Sequence, residues 1–198
     1  MNQILRIAAV VSISTFASGA FAQEAAPANP MAATSSVAPK NTITINPLPL
    51  VIGMVSMEYE RATSESLSLY VAPSYWSLSL GTDADEFSVF AYGLGLGARY
   101  FMTGVAPEGF WVAPGVELAF AGAEYRGAEG SGIGYGIGAQ LGYTWLIGNV
   151  FDISLGIGAN YTDSEVEVEY EEAGVERTRI DGNAGVYPSL RFALGAAF

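Results

Sequence analysis

The feature that most constrains this chain is an alternation of large and small residues that returns in segment after segment. SVFAYGLGLGARYF (88–101) puts Phe90, Tyr92, Leu94, Leu96, Ala98 and Tyr100 on one face, with Gly93, Gly95, Gly97 and Arg99 on the other. FWVAPGVELAF (110–120) opposes Val112, Pro114, Val116, Leu118 and Phe120 to Trp111, Ala113, Gly115, Glu117 and Ala119. GIGYGIGAQLGYTW (132–145) sets Ile133, Tyr135, Ile137, Leu141, Tyr143 and Trp145 against glycines, Gln140 and Thr144. VFDISLGIGANYT (150–162) sets Phe151, Ile153, Leu155, Ile157 and Tyr161 against Asp152, Ser154, Gly156, Gly158 and Asn160. A period of two is the pattern of a β-strand.

The small face decides the architecture. In a soluble sandwich the face opposite the large apolar residues meets water and carries many Lys, Glu and Thr. Here it is mostly Gly, Ala and Ser with single charges. That composition suits a narrow, crowded lumen, with the large residues facing lipid, which is the pattern of an outer-membrane β-barrel. Aromatics at strand ends (Phe87 and Tyr100, Tyr135 and Tyr143–Trp145, Phe151 and Tyr161) fit girdles at the two interfaces. Closure satisfies every backbone group without an edge and accounts for stability in an exported chain without cysteine. The expected fold is all-β: an eight-stranded antiparallel transmembrane barrel over 41–198.

The expected strands are 41–52, 54–62, 66–79, 87–101, 109–121, 132–146, 150–163 and 180–198. The first two are ambiguous, because NPLPLVIG holds two prolines that cannot donate to a ladder. Residues 41–61 can instead form one bent strand, or Pro47–Gly53 a short helix. An even strand number places both termini in the periplasm. Inner turns then fall near 63–65, 102–108 and 147–149, and outer loops near Gly53 and at 80–86, 122–131 and 164–179.

The first forty residues follow other rules. MNQILR and the apolar IAAVVSISTFASGA lead to Ala20-Phe21-Ala22, a small-x-small site, so residues 1–22 read as a signal peptide cleaved after Ala22. Residues 23–40, rich in Ala, Pro and Ser, read as a disordered spacer. The remaining chain carries 20 acids, which argues against nucleic acid.

Several charges fall on the lumen face: Arg191, Arg99, Glu58, Glu60, Glu117 and Asp152, with the amide Gln140. Eight strands leave an interior just wide enough for side chains, and a lone charge there is strongly desolvated. An interior ion-pair cluster is expected. Counting from the inner turns puts Arg191 and Glu117 near mid-height, with Gln140 between them, and Glu58, Arg99 and Asp152 lower; Arg191–Glu117 is therefore the expected central pair. The cluster reads as a structural polar core, or as a gate or proton path. Glu58 and Glu60 as an acid–base couple is the weaker reading, and the G-x-G-x-G runs lack both the spacing and the following helix of a nucleotide site.

The loops are acidic. DSEVEVEYEEAGVERTRID (163–181) holds eight acids and two arginines, and Glu165, Glu167, Glu169 and Glu171 alternate with Val166, Val168 and Tyr170, followed by Glu172. A turn at Ala173-Gly174 would make it a hairpin above the membrane. It reads as a solubilising surface loop, as a docking edge for another protein by strand addition, or as a gatherer of divalent cations, though without EF-hand spacing.

The leader, the segments GLGLGARYF and GIGAQLGYTW, and the terminal FALGAAF resemble the small outer-membrane β-barrel superfamily, the OmpA-like, OmpX-like and opacity-type barrels of Gram-negative bacteria. The resemblance covers about 41–198 and rests on pattern. It implies an outer-membrane location among lipid and lipopolysaccharide, and a terminal aromatic, Phe198, that the barrel assembly machinery reads. Membrane-barrel enzymes of such families depend on a histidine, and this chain has none; neutral-pH base catalysis most often uses one too. The expected protein is a monomeric, non-enzymatic barrel without cofactor or metal, structural and surface-presenting. The alternatives are a narrow solute channel of the OmpW type, or an adhesin acting through 164–179.

Overall fold

The computed structural model describes residues 39–80, 87–125, 128–170, 176–181 and 184–198. The leader at 1–22 lies outside the described residues, as do the spacer up to 38, the 81–86 connection, Glu171, Glu172 and the Ala173-Gly174 turn.

The alternating segments form nine strands: β1 (Asn41–Ile45), β2 (Met54–Ala62), β3 (Leu67–Leu80), β4 (Phe87–Phe101), β5 (Gly109–Tyr125), β6 (Ala128–Ile147), β7 (Phe151–Tyr170), β8 (Glu176–Asp181) and β9 (Gly185–Ala197). Every pairing is antiparallel, and β9 pairs with both β7 and β1, so the sheet closes. Because β8 and β9 both lie along β7, they share one position, and the barrel is eight-stranded. The end holding Asn41 and Phe198 is called the lower end below. It also holds the short turns at 63–66, 102–108 and 148–150. In the last of these, Gly148 and Asn149 take φ of 65° and 60°, as a tight hairpin turn of primed type requires.

The stagger of the barrel can be read from the ladders. Starting at Ile43, the partners run through Tyr59, Val71, Leu96, Val116, Ile137 and Tyr161 to Val186. Ile43 itself pairs with Ala196, so the trace returns to β9 ten residues above its start. That shear tilts the strands by about 40°. Residues level along a ladder are therefore not level along the barrel axis.

Parity sorts the side chains as expected. Ser154 is 1% exposed and its neighbour Leu155 44% exposed. Trp111, Arg99, Glu60, Thr144 and Asp152 are buried inside, while Leu94, Leu96, Val116, Leu118, Ile137 and Leu141 face outward.

Five expected strands change their bounds. The 41–52 strand stops at Ile45, and Leu48–Ile52 is a 3-10 helix, because Pro47 and Pro49 deny the ladder its donors. This matches the short-helix alternative. Gly53, at φ 79°, ends that helix, and its N–H caps Leu50 and Pro49. Strands β5, β6 and β7 run past 121, below 132 and past 163, so the expected 122–131 loop is strand except for residues 126–127, which lie outside the described residues. Upper β7 and β8 make the hairpin, with Glu167 opposite Arg179 and Glu169 opposite Arg177 in the ladder. The last expected strand, 180–198, divides into β8 and β9.

One side of the wall is low. β1 reaches only to Ile45 opposite Leu194, and β2 begins at Met54 opposite Trp76. Residues 185–193 of β9 and 77–80 of β3 therefore lack a ladder partner on that side among the described residues. The 3-10 helix caps this short hairpin, and the Trp76 indole N–H donates to the Ile52 carbonyl at 2.8 Å.

Candidate functional site

The lower lumen is filled by one connected group. Glu58 and Glu60, two apart on β2, both point inward. Arg99 on β4 is 2% exposed and meets both: its Nη1 lies 2.8 Å from Glu58 Oε1 and is ion-paired to Glu60, and its Nη2 donates to Glu58 Oε2 at 2.9 Å. The Ser68 hydroxyl donates to Glu60 as well. The Arg99 guanidinium lies between two aromatic rings, 4.7 Å from the Tyr70 centroid and 4.9 Å from that of Trp111. Cation–π contact of this kind is stronger where water is excluded, and Trp111 is 0% exposed.

Arg191 on β9 completes the group. Its Nη1 and Nη2 donate to Glu58 Oε2 and Oε1 at 2.7 and 2.8 Å, a two-pronged pair. Its Nε donates to Ser154 Oγ at 3.1 Å. Ser154 links through Thr144 to the Trp111 indole N–H, at 3.1 and 3.0 Å. Glu58 thus stands between two arginines, and the aromatic and hydroxyl side chains close the space around them. Three buried atoms, Asp152 Oδ1, Thr42 Oγ1 and Arg99 Nε, have no hydrogen-bond partner among the described residues.

The expected Arg191–Glu117 pair does not form. The ladder from Arg191 runs through Gly156 and Gly142 to Trp111, six residues below Glu117 on β5. Counting from each strand's own turn ignores this stagger. It also ignores circumference: only β1 separates β9 from β2, while β5 lies three positions away. Arg191 therefore finds Glu58. Gln140 donates to Ser189 Oγ at 3.2 Å instead of bridging the pair.

Above the floor lies a cavity of about 230 Å³. Glu58, Arg99, Arg191 and Tyr70 form its base, and Ser56, Ser74, Glu117, Gln140 and Asn160 contribute its polar wall. Gly95, Gly115, Gly136 and Gly138 line it. A methyl group built on Gly93 would meet the Ser74 hydroxyl and come within 3.3 Å of Glu117 Oε1, and one on Gly138 would meet Asn160 Oδ1. Glu117 makes no ion pair or hydrogen bond among the described residues.

The expected residues thus divide. Glu58, Glu60, Arg99 and Arg191 form the floor, Asp152 lies buried below it, and Glu117 and Gln140 stand in the cavity wall. Trp111, Tyr70, Thr144, Ser154 and Ser68 were not assigned to the cluster from sequence. A tryptophan on the glycine-rich face of its strand was the available signal. Phe198 closes the barrel through its backbone, exchanging N–H···O bonds of 3.0 and 2.9 Å with Asn41, while its side chain is exposed. Glu165, Glu167 and Glu169 lie on upper β7. The described residues hold no group of three or more acids fit for a metal ion.

No curated protein matches the chain. Residues 28–187 match the family described as Protein of unknown function (DUF3575), and the chain belongs to that family.

Proposed function

We propose that this protein is an integral outer-membrane barrel without enzymatic activity, exported through a leader cleaved after Ala22, which stabilises the envelope and presents the β7–β8 hairpin at the surface. The outward belt supports the membrane reading. On β4, Leu94 and Leu96 lie between outward Tyr92 and Tyr100, and on β6, Ile137 and Leu141 lie between Tyr135 and Trp145. Eight residues at about 3.3 Å each, tilted by about 40°, span roughly 20 Å, near the apolar band of such barrels. An apolar belt of this extent carries a large penalty in water. The 3-10 helix fits the same picture: on the low side of the wall the connection would lie within lipid, and Leu50 and Val51 there are exposed.

The observation that carries the structural reading over the channel is the floor. Trp111, Arg99 and Glu60, all buried, occupy the lumen at one level together with Glu58 and Arg191, and their charges are matched within the barrel. Lipopolysaccharide outside and the assembly machinery acting on the Phe198 strand are the expected partners of a monomer. The test is refolding into lipid vesicles. A strand-rich circular dichroism spectrum and a band that shifts on boiling are expected. A helical spectrum, or protein left unprotected from added protease at every site, would overturn the reading.

A further inference from the structure

The cavity above the floor has a composition its structural role does not require. The two arginines at its base are occupied by Glu58, which faces both. Glu117 is left as a carboxylate that is accessible within the cavity and faces no cation among the described residues. Around it stand neutral hydrogen-bonding groups: the Ser74 hydroxyl beside its carboxylate, the Asn160 amide along the wall and the Tyr70 hydroxyl at the base. None of these three makes a hydrogen bond among the described residues. The volume of about 230 Å³ has room for several waters.

We infer that this cavity is a binding site for a small hydroxylated primary amine, with the ammonium on Glu117 and the hydroxyl among Ser74, Asn160 and Tyr70. The charge argument selects the sign. An anion would meet Glu117, while the arginines beneath are already committed. A divalent metal would find one carboxylate where it needs several oxygens, whereas an ammonium needs one counter-charge and a few neutral acceptors. The glycines explain how the site stays open: Gly93 and Gly138 leave the space that their own side chains would take from Glu117 and Asn160. The inference rests on the reading of a lumen sealed from below, since the sealed floor supplies the base of the site.

The test uses the full chain folded in detergent micelles, titrated calorimetrically with 4-aminobutan-1-ol and with 1,4-butanediol, which differ by the ammonium alone. The amine is expected to bind at least tenfold more tightly than the diol. Glu117→Gln, which keeps the shape and removes the charge, is expected to abolish that preference. Gly95→Leu should weaken both probes, since an added Cβ at Gly95 makes only ordinary contacts, 3.4 Å or longer, and the rest of the side chain enters the cavity. Changing Glu165, Glu167 and Glu169 together to Gln should leave amine binding unaltered, which separates the cavity from the acidic hairpin. Equal binding by the parent and Glu117→Gln would overturn the inference, as would loss of binding only in the hairpin variant. The gel shift and conductance of the same preparations report separately on the barrel reading, so a folded, non-conducting protein that binds no amine would refute the site alone.

Discussion

The lower and upper halves of this lumen share one wall and differ in every other respect. On β5 the inward residues are Trp111 and Ala113 below, Gly115 and Glu117 above. On β7 they are Asp152, Ser154 and Gly156 below, Gly158 and Asn160 above. The lower half is packed by an aromatic residue and by Glu58 and Glu60 paired with two arginines; the upper half is hollowed by glycine, and its carboxylate Glu117 faces open space. The difference shows that a barrel of fixed circumference can be made solid or hollow by the side chains of one face, with no change in the strands.

Breaking the floor should have the largest effect. Arg99→Met leaves Glu60 as a buried carboxylate without a cation and Glu58 with Arg191 alone, and loss of one side of such a pair costs about 3–5 kcal/mol. Trp111→Ala is expected to cost a similar about 3–5 kcal/mol, through the cavity it leaves and the hydrogen bond Thr144 loses. Urea unfolding from vesicles measures both; changes below 1 kcal/mol would mean that the lower half is not the structural half. The Glu58–Arg191 contact is best isolated by a double-mutant cycle with Glu58→Gln and Arg191→Met. The double change should cost less than the two single changes together. A cycle on Glu117 and Arg191 should show no coupling beyond about 0.5 kcal/mol, the scatter expected of independent sites.

Inside and outside can be compared on two adjacent residues. Leu155→Arg places a charge on the outward face and should cost about 2–4 kcal/mol in a bilayer. Ser154→Arg instead crowds the floor beside Arg191, which donates to the Ser154 hydroxyl. Single cysteines should label from water at neither position in the folded barrel, and a lipid-soluble probe should reach only 155. Labelling of 154 by that probe would place the strand one residue out of register.

Much of this was legible in the sequence, and the part that was not has one cause. Parity alone put Glu58, Glu60, Arg99, Asp152 and Arg191 inside, because alternation is local and each strand carries its own copy. Strands β2 and β4 begin and end where alternation does. Which inward charges meet is a different kind of fact. Arg191 reaches Glu58 and misses Glu117 because of a ten-residue stagger accumulated over every ladder in the barrel, and no single segment contains it. Upper β7 was harder to place because Val166 and Val168 alternate with acids instead of glycine, a pattern that fits a loop or a hairpin until its partner Glu176–Asp181 is known.

The smallest effects belong to the upper half and to the terminus. Glu117→Gln should change stability by no more than about 0.5 kcal/mol, since no partner is lost. Phe198→Ala keeps the backbone bonds to Asn41 and should leave refolding in detergent nearly unaltered while slowing assembly in cells. Equal losses in both assays would assign Phe198 to packing.

The central claim is that the floor seals the lumen, and single-channel recording in planar bilayers addresses it directly. The parent protein should insert without steady conductance, and the doubly changed Arg99→Met, Trp111→Ala protein, with its floor removed, should pass ions. Steady, reproducible conductance from the parent at the same protein concentration would contradict the account and make the barrel a channel.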